Sequence, residues 1–212
     1  MFRSFFPDSR WFWLSVLIWT IVCCAGWFAF NVPLGTALGL NMQEAEPVIG
    51  LGHFVTDPFK LFYAYYALSV ALFAAFWFTV KPNHWQWWSI LGSAFILFST
   101  YYSVQVSVAI NNWRRPFFDA VQAALSPKST VTTAQLYTLM LQFAEIAFMA
   151  IFIYVITRFF VSHYIFRWRS AMNDYYTSRW TQVRNIEGAS QRVQEDTMRF
   201  ATIMENLGVS MV

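Results

Sequence analysis

Three stretches of this chain carry no charged residue over twenty or more positions: 11–30, 61–80 and 89–110. A fourth, 136–157, carries a single acid, Glu145. A hydrocarbon layer about 30 Å thick is crossed by roughly 20 helical residues. Lipid offers no partner to a free N–H or C=O, so a crossing segment must bond its backbone internally. The pattern therefore predicts an all-α integral membrane protein and restricts functional chemistry to the few polar groups at membrane depth.

Composition agrees with that reading. Hydrophobic residues make up 58% and charged residues 12%, about half the charge of a soluble domain. Aromatics reach 21%, and many flank the runs: Trp11, Trp13 and Trp27 around the first, Trp77, Trp85, Trp87 and Trp88 between the second and third. Such belts suit the headgroup level. The net charge of +3 is spread out, so nucleic acid is not an expected partner. Cys23 and Cys24 are adjacent within an apolar run and read as small buried hydrophobes. The start MFRSFFPDSR followed by a long apolar run reads as a retained signal anchor.

Along the chain, residues 1–30 form an N-terminal transmembrane helix. Residues 31–58 form an outer, periplasmic loop with Gly and Pro punctuation and the acids Glu44, Glu46 and Asp57. Residues 59–212 begin a larger transmembrane domain. The polar turn KPNHWQWW joins the second and third spans. Phe117, Phe118, Val121, Ala124 and Leu125 mark a short amphipathic helix on the membrane surface. Thr132 and Gln135 have capping-box spacing ahead of the fourth span. From about 158 to 198 a basic, amphipathic helical extension leaves the membrane, with an elbow at NIEGAS where Gly188 ends one helix and Ser190 starts the next. On the returning helix Arg192–Asp196 and Glu195–Arg199 have i,i+4 spacing for ion pairs. That helix turns apolar and is expected to be cut short at Val212. With the N-terminus in the cytoplasm, ten Lys/Arg lie on inner segments and four on outer ones, the bias of the positive-inside rule.

Intramembrane carboxylates are costly and usually functional. A carboxylate in a low-dielectric site shifts its proton affinity toward neutral pH, the property that a proton-coupled carrier needs. Glu205 and Glu145 are the candidates by depth. Glu187 and Glu195 lie in the basic stretch and fit surface ion pairing. His53, His84 and His163 are scattered, so no metal is assigned. There is no phosphate loop and no nucleophile elbow. Neither an enzyme nor a cofactor is expected.

Five segments carry a family resemblance: MFRSFFP at the start, FYAYY at 62–66, HWQWWSILGSA at 84–94, the NxWxxPFFD pattern at 111–119, and 159–210 with its NIEG elbow followed by QRVQEDT. Together they resemble the SbmA/BacA family of bacterial inner-membrane peptide transporters. The resemblance implies an ABC-exporter-like transmembrane helix bundle with an extra N-terminal helix and no nucleotide-binding domain. It also implies a homodimer that imports antimicrobial and microcin-type peptides on the proton gradient. The family-matching acids in this chain are Glu187, Glu195 and Glu205. Glu145 departs from the family pattern, and Arg114-Arg115 replaces an uncharged pair. Family members continue past residue 212, so the chain is expected to be an N-terminal half. A weaker form of the 159–210 pattern occurs in ATP-driven peroxisomal-type transporters. The membrane half of an ATP-driven lipid or peptide exporter is therefore one alternative, and a non-transport envelope accessory protein is another.

Overall fold

The computed structural model describes residues 2–42, 47–126 and 131–210. Glu44, Glu46 and Lys128 lie outside the described residues. Among those described there is no strand. The helices are α1 (Phe2–Phe5), α2 (Ser9–Ala37), α3 (Asp57–Val80), α4 (Ser93–Ala124), α5 (Thr133–Ser178), α6 (Trp180–Val183) and α7 (Ala189–Ser210). A 3₁₀ turn, Gly50–Val55, precedes α3, and a π-helical turn, Trp87–Gly92, opens α4. Four segments are long and apolar enough to cross a membrane: Arg10–Ala37, Asp57–Val80, Trp87–Ala124 and Thr133–Ser178.

The helices run further than the uncharged runs. The first continues through Pro33 to Ala37, so its last two turns replace the start of the expected 31–58 loop, and the 3₁₀ turn fills part of the rest. The amphipathic segment around 117–125 is not a separate surface helix. It continues the third span as the end of α4, through Pro116, because nothing between 111 and 116 other than that single proline interrupts the helix. The fourth span does continue into the basic stretch, as one 46-residue helix. At a rise of 1.5 Å per residue α5 is about 69 Å long, more than twice a hydrocarbon layer. The capping box at its start forms: the Thr132 side chain accepts from the Gln135 amide while Gln135 reaches back to the Thr132 amide.

Two buried clusters hold the bundle, one toward each end. At the end carrying α1, Phe5, Phe6, Phe12, Trp77, Ile90, Tyr164 and Trp168 pack together. Trp168 is the hub. Its ring lies within 5.6 Å of those of Phe2, Phe5, Phe6 and Phe200. Trp77, expected at the headgroup level, is instead buried here and donates from Nε1 to Ser15 Oγ at 3.0 Å. The KPNHWQWW turn is tied to the N-terminus: Asn83 Nδ2 donates to the Phe5 carbonyl, and Lys81 Nζ pairs with Asp8 Oδ2 at 2.7 Å. That hydrogen bond from Lys81 is the main reason why the Asp8 carboxyl lies below the usual carboxylate range. At the opposite end Phe54, Val106, Ala109, Trp113 and Ile146 form the second cluster, with Trp113 Nε1 donating to the Leu139 carbonyl at 2.7 Å.

The α4–α5 seam depends on a close approach. A Cβ on Gly92 would sit 2.9 Å from the Tyr164 ring, so glycine lets that ring lie against the π-helical turn. Tyr164 Oη and Ser93 Oγ then share a hydrogen bond of 2.7 Å.

Candidate functional site

The elbow turns α7 back along α5. Gly188 takes a left-handed φ of +72°, a conformation that costs glycine nothing, and α7 begins at the next residue. The two helices then form an antiparallel hairpin: Phe200 packs on Trp168, Glu205 meets Ser162, and Gly208 lies against Val161. Ser162 Oγ donates to Glu205 Oε1 at 2.7 Å, and the pair is half-buried. This is a hydrogen bond between two helices, six residues along α5 from the Trp168 hub. Ser162 precedes Tyr164 by two residues, which places the pair at the level of the π-helical turn.

The other acids sit differently. Glu145 lies on the exposed face of α5, flanked by Leu141, Ala144 and Phe148 in a shallow apolar pocket that also includes Leu51. A Cβ on Gly50 of the 3₁₀ turn would lie 3.7 Å from its Oε2. The 17 residues from Glu145 to Ser162 put about 25 Å of helix between the two carboxylates. They stand toward opposite ends of the bundle and do not form a relay. Glu187 and Glu195 are exposed. Glu195 accepts from Gln191 Nε2 at 3.1 Å. The pairs expected at Arg192–Asp196 and Glu195–Arg199 are not among the three ion pairs of the described residues. On an exposed helix face the entropy of holding two long side chains offsets what such a pair gains.

His163 is exposed and meets Phe159 edge-on, and His53 packs against Phe54 and Phe59. Among the described residues no three His, Cys, Asp or Glu converge. Cys23 and Cys24, expected to be buried, are half-buried and exposed respectively. The helix that carries them packs on α3 along one face only, by way of Tyr65 Oη to the Cys23 carbonyl and Trp19 Nε1 to the Ser69 carbonyl.

Sequence reasoning named Glu205 as a candidate from its depth but did not name Ser162, its hydrogen-bond partner 43 residues away. A serine in an aromatic- and arginine-rich helix carries no signal of its own until the hairpin brings α7 back.

The family model described as SbmA/BacA-like matches residues 82–212. The match covers the π-helical turn, the α4–α5 seam, the elbow and both members of the Ser162–Glu205 pair. The chain belongs to the SbmA/BacA-like family. It is a multi-pass membrane protein of a transporter family.

Proposed function

We propose that this chain forms the first spans of a proton-coupled peptide importer of the bacterial inner membrane, and that Glu205 is its proton-binding group. The observation that carries this reading is the Ser162–Glu205 hydrogen bond within a family-matched helix pair. It holds one carboxylate in a fixed, half-buried position where α7 returns to the bundle. A carboxylate gains and loses a proton, and Ser162 is the side chain that donates to it here. Protonation weakens that bond, so the α5–α7 contact senses occupancy, and a helix pair whose packing depends on protonation is an element that a gradient can bias.

In this reading the N-terminus is cytoplasmic and the basic α5 extension lies on the same side, as the distribution of arginines favours. The working unit is a homodimer with an ABC-exporter-like helix arrangement and no nucleotide-binding domain. Its substrates are antimicrobial or microcin-type peptides. Glu187, Glu195 and Glu145 remain further candidates for proton coupling, ranked below Glu205 because none of them has a partner on another helix among the described hydrogen bonds.

The test is uptake of a fluorescent cationic peptide by cells expressing the native gene product. A protonophore should abolish uptake while ATP is held constant. Uptake that survives the protonophore and stops on ATP depletion would contradict proton coupling, and ATP-dependent efflux of the peptide would favour an ATP-driven exporter's membrane half.

A further inference from the structure

Glu205 lies on a continuous contact face of α7. From 197 to 208, Thr197, Phe200, Ala201, Met204, Glu205 and Gly208 are buried or half-buried, and the six residues between them are exposed. Steps of three and four residues make one helical stripe, and this stripe is turned to α5. Gly208 is its one member without a side chain.

Two contacts bracket the carboxylate along the stripe. Five residues before it, the Phe200 ring meets the Trp168 ring with centroids 5.0 Å apart. Three residues after it, close to one helical turn, Gly208 lies against Val161, the neighbour of Ser162. At the first contact two aromatic rings fill the space between the helices. At the second, α7 contributes only backbone. A Cβ on Gly208 would sit 2.8 Å from Val161 Cγ1 and 3.9 Å from Cγ2.

Val161 cannot make that room alone. A valine in a helix keeps one χ1 rotamer about 90% of the time, and Val161 is buried in the cluster around Trp168. An added Cβ must therefore push α7 away from α5. The Ser162–Glu205 hydrogen bond, 2.7 Å long, stands one residue away along α5. A parting of roughly 1 Å takes it beyond bonding distance. Glycine inside a helix is less stable than alanine, so helix propensity favours alanine at 208 and only the close approach opposes it.

We infer that, with Glu205 as the proton-binding group of the reading above, Gly208 is its positioning residue: the missing side chain sets the α5–α7 separation at which Ser162 reaches the carboxylate.

Peptide uptake by cells expressing the native gene product tests this, together with thermal unfolding of the purified protein in detergent. Gly208→Ala should lower uptake several-fold, against the direction of helix propensity. Adding Val161→Ala should restore uptake, because it removes the methyl groups that the new Cβ meets. Gly208→Ala placed on Ser162→Ala should lower uptake no further, whereas a role in packing alone would make the two losses multiply. Asn206→Ala, on the exposed face of α7, should leave uptake unchanged. Wild-type uptake in Gly208→Ala, a loss that Val161→Ala does not relieve, or losses that multiply would each overturn the positioning role. Unchanged uptake in Glu205→Gln would instead overturn the proton-site reading, and unfolding then decides the spacing on its own. Gly208→Ala and Val161→Ala should together cost less than the sum of their separate effects if Gly208 sets the separation, and simple additivity contradicts it. Should Gly208→Ala not fold, Val161→Ile crowds the same contact from α5 and should itself lower uptake; full uptake there contradicts the role.

Discussion

Glu145 and Glu205 are both carboxylates on long helices of a membrane protein, yet the fold treats them differently. Glu145 faces outward from α5 among apolar side chains, with no hydrogen bond to another helix among the described residues. Glu205 is drawn against α5 by a hairpin, accepts from Ser162 and sits close to the best-packed part of the bundle. The comparison teaches that similar depth in an apolar run does not fix a carboxylate's surroundings. Only at Glu205 does a second helix arrive with a donor. At Glu205 the arrival is arranged by three features far apart in sequence: the Gly188 elbow, the Phe200–Trp168 contact, and the α1 plug that holds Trp168 from the other side.

That contrast can be broken at several points. The largest effect on stability should come from Trp168→Ala. Truncating a buried tryptophan typically costs 3–5 kcal/mol, an order-of-magnitude figure for core sites. Here it removes the ring on which both α1 and α7 pack, so thermal unfolding in detergent should shift strongly downward, and hydrogen exchange should rise in α7 while the Trp113 end stays protected. A uniform rise across both ends would show that the two clusters are not independent.

Ser162→Ala should act on the carboxylate alone. A hydrogen bond to a charged group contributes about 1.5–3 kcal/mol. Peptide uptake should therefore fall several-fold, with little change in folding. Unchanged uptake would leave Ser162 a packing residue only. Glu145→Gln should have a smaller effect, with uptake within about twofold of wild type, as for exposed positions without partners. A tenfold loss would move the proton site to the other end of α5.

The smallest effect concerns the clasp at the N-terminus. The Asp8 carboxyl is held below its ordinary range by the Lys81 hydrogen bond, so the contact adds stability above the unfolded carboxylate's pKa and loses it as pH falls through the lowered value. Asp8→Asn should lower the melting temperature slightly at pH 7, and the difference should vanish in strong acid. A difference that persists there would mean that the clasp acts through packing.

Much of this architecture was legible in the chain. Uncharged runs located the spans because lipid leaves no alternative to internal hydrogen bonding. The Thr132–Gln135 spacing located the start of α5, and Gly188 the elbow. What escaped the sequence involved partners distant along the chain. Trp77 looks like a belt residue until Ser15 and Phe12 meet it. The length of α4 was missed because Pro116 and the charged NNWRRP segment suggested a break that a helix already several turns long absorbs.

The most direct test of the central claim is uptake of a labelled peptide into liposomes carrying the reconstituted native gene product, driven by an imposed pH gradient alone. Wild type and Glu145→Gln should accumulate peptide, and Glu205→Gln should not, while still binding it. Gradient-driven accumulation by Glu205→Gln at the wild-type rate would contradict the assignment of the proton site.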